Sequence, residues 1–281
     1  MRRSPKAHSQ LHSVKTIAGK SAAKSPLIET DHTTDHHLVG LQGMSASVIR
    51  SYLKMTSILD SEGVRGEELH GHVVANLLFE DSTRTRTSFS VAAKRLGAEV
   101  VDLISAASSV SKGETLIDTA RNIEAMGVSA LVIRSKQAGV AHMIAKQVSC
   151  AVINAGDGKH EHPTQALLDI YTIAKSHGRL DDFDLSGIRV AIVGDVVSSR
   201  VARSNIAGIT ALGGEVICVG PSAMAPASLR TLGAEVSRDL DDTLTKVDAV
   251  MMLRIQFERT ESGSHASASG KEGAPKVTGL T

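Results

Sequence analysis

The chain has 281 residues and a mass of 29.5 kDa, with 42% hydrophobic and 22% charged residues. That balance supports one large core or two modest ones and is wrong for a disordered chain. Formal net charge is +1, yet residues 1–28 hold six basic and no acidic residues, leaving the rest at −5; an acidic body with 2% aromatics and no Trp argues against nucleic-acid partners.

The first 36 residues are rich in Ser, Lys, Ala and His without periodicity and are expected to be a disordered extension. Their basic, acid-free start is also compatible with a targeting segment. From Leu38 the pattern becomes regular. Residues 44–62 carry Val48, Tyr52, Met55 and Leu59 at helical spacing. An apolar run at 73–79 predicts a buried strand, 82–96 a helix closed by Gly97, and 100–104 a strand. Helix 114–126, strand 130–133, helix 139–148, strand 151–153 and a long helix 162–178 follow.

After a polar stretch at 179–187 a second series begins. It comprises strand 188–193, helix 198–212, strand 215–219, short helix 226–232, short strand 234–236, helix 240–246 and strand 249–253. Apolar strands alternating with helices predict parallel sheets covered on both faces. The expected fold is α/β: two doubly wound parallel-sheet domains joined by a long helix. The boundaries read as 37–178 and 179–259, with a flexible Ser/Gly/Ala tail at 260–281. Cys150 and Cys218 lie far apart with no CxxC spacing, so they read as buried thiols of a reducing compartment. No apolar stretch is long enough to span a bilayer, so no membrane partner is expected.

Open α/β sheets bind ligands beyond the C-terminal ends of their strands. The strongest motif stands at such an end: Phe79-Glu80-Asp81-Ser82-Thr83-Arg84-Thr85-Arg86-Thr87-Ser88-Phe89. Ser82, Thr83, Arg84 and Thr85 open the helix, where unpaired backbone N–H groups, hydroxyls and a guanidinium make a phosphate site. An ordinary Ser cap with surface arginines is the plainer reading, and two hydroxyl–Arg pairs directly after a buried strand weigh against it. A dinucleotide site after Val190–Gly194 fails because the required glycines and a P-loop lysine are missing.

The Ser-Thr-Arg-Thr-Arg run, together with His162-Pro163-Thr164-Gln165-Ala166-Leu167-Leu168-Asp169, resembles the aspartate and ornithine carbamoyltransferase family over roughly residues 38–259. The resemblance implies transfer of a carbamoyl group from carbamoyl phosphate to L-aspartate, an early step of pyrimidine biosynthesis, with no cofactor and no metal. Thr164 stands where the ornithine enzymes usually have Cys, and neither cysteine lies at a matching motif, so aspartate is favoured over ornithine.

By the same resemblance, carbamoyl phosphate would be held by Ser82, Thr83, Arg84, Thr85, Arg134, His162 and Gln165, with Ser108 and Lys112 reaching in from a neighbouring subunit. Arg84, Thr85, Arg134, His162 and Gln165 would carry the catalysis. Aspartate would meet Lys112, Arg200, Arg254 and Gln256. A cytoplasmic homotrimer is implied, with a regulatory subunit as a further partner. Asp169 reads as making a structural hydrogen bond rather than acting as a base, and His162 by itself would read as a helix cap. The family continues past Arg259 with further helix, a last strand and a closing helix. Replacement of these by the Ser/Gly tail gives a competing expectation: an incomplete second domain and an inactive homologue.

Overall fold

A computed structural model describes residues 36–80, 82–104 and 115–254. Both expected terminal segments therefore lie outside it, save His36, whose Nε2 is 2.8 Å from the Ser149 carbonyl oxygen. Two four-stranded sheets are present among the described residues, and all their pairings are parallel. The first contains β1 (Val73–Leu78), β2 (Glu99–Ile104), β3 (Ala130–Ser135) and β4 (Ala151–Asp157), in the order β2-β1-β3-β4. The second contains β5 (Arg189–Val193), β6 (Glu215–Val219), β7 (Glu235–Ser237) and β8 (Ala249–Met252), in the order β7-β6-β5-β8. The two-domain parallel α/β expectation is met.

The helices are α1 (Ala46–Glu62), α2 (Thr83–Arg95), α3 (Leu116–Ala125), α4 (Val140–Ala145), α5 (Pro163–Ser176), α6 (Arg200–Ala211) and α7 (Leu240–Leu244). Local chemistry sets their starts. Ser45, Ser82, Thr115, Ser199 and Asp239 each cap a helix by accepting a first-turn backbone N–H. Thr115 and Asp118 complete a capping box, and Pro163 takes the first position of α5.

Two predicted helices differ. The one expected over 139–148 is shorter, because Gln147 N–H turns to the carbonyl of Ile144, three residues back. The one expected over 226–232 is a 3₁₀ helix (Ala227–Leu232), squeezed between Pro226 and Gly233, whose φ is +90°.

The largest apolar cluster runs through Ile49 and Leu53 of α1, Ile170 and Ala174 of α5, Val190 and Ile192 of β5, and Ile206 and Ile209 of α6. The long connecting helix is thus itself core. The first sheet has a separate cluster of Leu77, Leu131, Ile133 and Val152 under Ala120 of α3 and Ile144 of α4. Phe183, between α5 and β5, is fully buried in the larger cluster, and it is the one described non-glycine residue with positive φ (54°).

Candidate active site

The order of each sheet reverses once: between β1 and β3 in the first, and between β5 and β8 in the second. Crossovers leave those strand pairs in opposite directions, which opens a crevice past their C-terminal ends. The sequence-predicted residues of the described chain gather at such ends. Ser82 to Thr85 follow β1, Arg134 lies at the end of β3, Arg200 starts the helix after β5, and Arg254 follows β8. His162 and Gln165 open α5, the helix after β4.

Arg134 sits where the β3–β4 register breaks: Ile133 pairs with Asn154 and Ser135 with Asp157. Such an irregularity re-aims a side chain at a strand end. Its Nη1 donates to the Ala155 carbonyl at 3.0 Å and its Nη2 to Glu80 Oε1 at 2.8 Å. Arg200 donates from Nη1 to Glu80 Oε2 at 3.1 Å and from Nη2 to Glu80 Oε1 at 3.2 Å. One carboxylate therefore joins two guanidinium groups from different sheets, with side-chain exposures of 17% for Glu80, 11% for Arg134 and 3% for Arg200.

Gly156 makes that approach feasible. Its φ is +110°, and a Cβ there would lie 2.8 Å from Cζ and Nε of Arg200 and 3.2 Å from Nη1 of Arg134. Glu80 thus sets one carboxylate against these two cations. The N-termini of α2, α5 and α6 add the positive ends of three helix dipoles on the same sides of their sheets.

Ser82 caps α2 by accepting Thr85 N–H at 3.3 Å, and its hydroxyl donates to Thr85 Oγ1 at 2.8 Å. Thr83 and Arg84 point to exposed surface and line a groove of about 740 Å³ with Leu59, Val91 and Arg95.

His162 occupies the cap position of α5, but its side chain makes no capping bond. Its backbone N–H donates to Ser204 Oγ at 2.9 Å, while Nδ1 lies 3.3 Å from Thr164 Oγ1. Gln165 Nε2 donates to Asp169 Oδ1 at 2.9 Å, the structural role expected of Asp169. Arg254 is exposed, one residue beyond the Leu253 N–H that donates to the Val193 carbonyl at 2.9 Å. Ser108, Lys112 and Gln256 lie outside the described residues.

Sequence reasoning missed Glu80, although it stands inside the quoted motif. The available signal was physical: clustered arginines at a buried strand end need a counter-charge. It also missed Glu161, which is 3% exposed and accepts Leu41 N–H at 2.7 Å, Gln42 N–H at 3.1 Å and Ser204 Oγ–H at 2.8 Å. No clusters of three or more His, Cys, Asp or Glu suited to a metal ion occur among the described residues.

Residues 36–175 match the model of the aspartate/ornithine carbamoyltransferase carbamoyl-phosphate-binding domain. An aspartate carbamoyltransferase catalytic subunit of Myxococcus xanthus is 53% identical over 226 residues, spanning 80% of this chain and 74% of that protein. The chain belongs to the aspartate/ornithine carbamoyltransferase family. The corresponding subunit of Gluconacetobacter diazotrophicus is 49% identical, over 83% of this chain and 72% of that one.

Among solved structures, the aspartate transcarbamoylase of Trypanosoma cruzi with carbamoyl aspartate and phosphate superposes with a TM-score of 0.68 at 30% identity, covering 79% of this chain and 76% of that one. An ornithine carbamoyltransferase of Thermus thermophilus superposes with a TM-score of 0.71 at 26% identity, covering 82% and 77%. Backbone shape is thus shared across both branches of the family. Among these solved structures the sequence identity is 30% to the aspartate enzyme and 26% to the ornithine enzyme, and both curated relatives named above are aspartate carbamoyltransferases.

Proposed function

We propose that the chain transfers a carbamoyl group from carbamoyl phosphate to the amino group of L-aspartate, giving N-carbamoyl-L-aspartate and phosphate. The observation that carries this reading is the pair of guanidinium groups, one from each sheet, converging over Gly156 beside helix N-termini. The reaction needs a site for one dianionic phosphate and two carboxylates, and catalysis here is positioning plus electrostatics.

Ser82, Thr83 and Thr85 offer hydroxyls and backbone N–H groups at the start of α2, and Arg84 and Arg134 add cations for the phosphate. Thr85, Arg134 and His162 donate to the carbonyl oxygen as it gains charge, and Gln165 accepts from the carbamoyl NH₂. The aspartate nitrogen lone pair attacks the carbonyl carbon, and the electron pair moves onto the oxygen. When that carbonyl re-forms, the C–O bond to phosphorus-bound oxygen breaks, and phosphate leaves with the electron pair. The amine proton leaves to phosphate or solvent.

Arg200 already grips a carboxylate through two nitrogens, which is the recognition an aspartate carboxylate requires. Arg254 and Gln256 follow β8 and complete the aspartate side. Ser108 and Lys112 act from a neighbouring subunit of a homotrimer, and the assembly works in the cytoplasm.

Calorimetric titration with N-phosphonacetyl-L-aspartate tests the assignment. Arg84→Ala is expected to abolish measurable binding of the phosphonate. Arg254→Ala is expected to weaken aspartate binding while leaving carbamoyl phosphate affinity within a few-fold. Equal affinity of wild type and Arg84→Ala for the phosphonate refutes the reading. Formation of carbamoylaspartate by the purified chain, at a rate typical of enzymes, decides against an inactive homologue.

A further inference from the structure

Gln165 and Asp169 are one turn apart on α5 and share a face. Asp169 accepts from two amides: Gln165 Nε2 at 2.9 Å on one oxygen and Asn205 Nδ2 at 2.8 Å on the other. Asn205 lies on α6, is fully buried, and its Nδ2 also donates to the Val201 carbonyl at 3.1 Å. Its own Oδ1 is buried without a partner. Two acceptors thus fix which way the Asn205 amide faces, at the expense of an unpaired oxygen. That orientation makes sense only if Asp169 presents an acceptor there.

The same reasoning passes to Gln165. An ionised carboxylate accepts and never donates, so it binds the NH₂ end of the Gln165 amide. Oε1 is left as the free end, and it makes no hydrogen bond among the described residues. Gln165 is the third residue of α5, within the first turn after His162.

We infer that Asp169, seated by Asn205, is a positioning residue that sets the polarity of Gln165, so that the site selects an acyl phosphate bearing N–H over its methyl isostere. The inference rests on the carbamoyl-phosphate reading and deepens it. A carbamoyl group and an acetyl group have nearly the same shape and differ in NH₂ against CH₃. An acceptor that a bound ligand covers without offering a donor penalises the second ligand far more than any difference of contact does. If Gln165 turned freely it would show either end, and the penalty would be lost.

The test is calorimetric binding of two stable analogues to the full chain: phosphonoacetamide, which carries the amide, and 2-oxopropylphosphonate, its methyl ketone. Wild type is expected to prefer the amide by at least about tenfold. Asp169→Ala is expected to bring that ratio close to one through lost amide affinity, with ketone affinity unchanged. A structural role alone would weaken both ligands together, and equal weakening or an unchanged ratio overturns the inference.

Gln165→Met is the second variant, because any effect of Asp169 must pass through Gln165. Loss of the preference supports the inference, and a retained preference overturns it even if Asp169→Ala does not fold. If wild type binds both analogues without preference, the inference alone fails. If it binds neither, the carbamoyl-phosphate reading fails and the inference falls with it.

Discussion

Glu80 shows how one side chain can organise a site that its neighbours define. Its carboxylate pairs with Arg134 and Arg200 at once, and all three are largely shielded from water. Removing one member of such a group strands the opposite charge. Glu80→Gln is therefore expected to destabilise the fold by about 3 kcal/mol, read as a lower midpoint in urea denaturation. The cysteines illustrate the opposite case. Burial pushes the Cys218 thiol up to about 12, and burial with the nearby Glu124 carboxylate pushes Cys150 up to about 11. At pH 8 only on the order of one Cys218 in ten thousand is thiolate, so iodoacetamide in native buffer should leave it unmodified by mass spectrometry. Labelling of Cys218 at the rate of a free peptide thiol would contradict its burial. The strand-end positions of Thr83 and Arg84 could be read from the motif after β1, and that of Arg134 from the family resemblance. Glu80, Glu161 and Asn205 were not legible, because their roles depend on partners 36 to 120 positions away in the chain.

Elements were easier to read than their ends. Each strand announced itself as an apolar run, and each observed strand falls within a residue or a few of the expected span. The exceptions are instructive. β4 runs on to Asp157 instead of stopping at 153, because Asn154 and Asp157 are buried polar residues that an apolar pattern cannot register. Asn154 donates to Asp157 and to the Val39 carbonyl, and Asp157 accepts the N–H of Gly139 at 2.6 Å and of Glu161 at 3.1 Å. Those bonds carry the strand past its hydrophobic stretch and deliver the chain to His162. α2 depends on its first residue in another way. Its first turn holds no acidic side chain, and Ser82 caps it by accepting Thr85 N–H. Ser82→Ala is expected to cost about 1 kcal/mol of stability, checked by thermal or urea unfolding. The same change is expected to weaken phosphonate binding, whereas Thr115→Ala at the cap of α3 is expected to leave it unchanged.

At the scale of the whole molecule, the two sheets and the long helix joining them were visible in the sequence, and the packing of that helix was not. α1 and α5 pack into the cluster that also holds β5 and α6. Helical periodicity tells which side of α5 is apolar but not whose core that side enters. Phe183 is the sharpest instance: it lies in a stretch that reads as polar linker, yet it is completely enclosed and sits with Tyr171 at a ring separation of 6.2 Å. The backbone accepts φ of 54° there to put the ring inside. A protease cut in the hydrophilic run just after the long helix should therefore sever the polypeptide without parting its pieces. The two fragments are expected to travel as a single peak on a sizing column and to come apart only in denaturant, since the aromatic plug on one side of the nick stays corked in a chamber whose walls come from both.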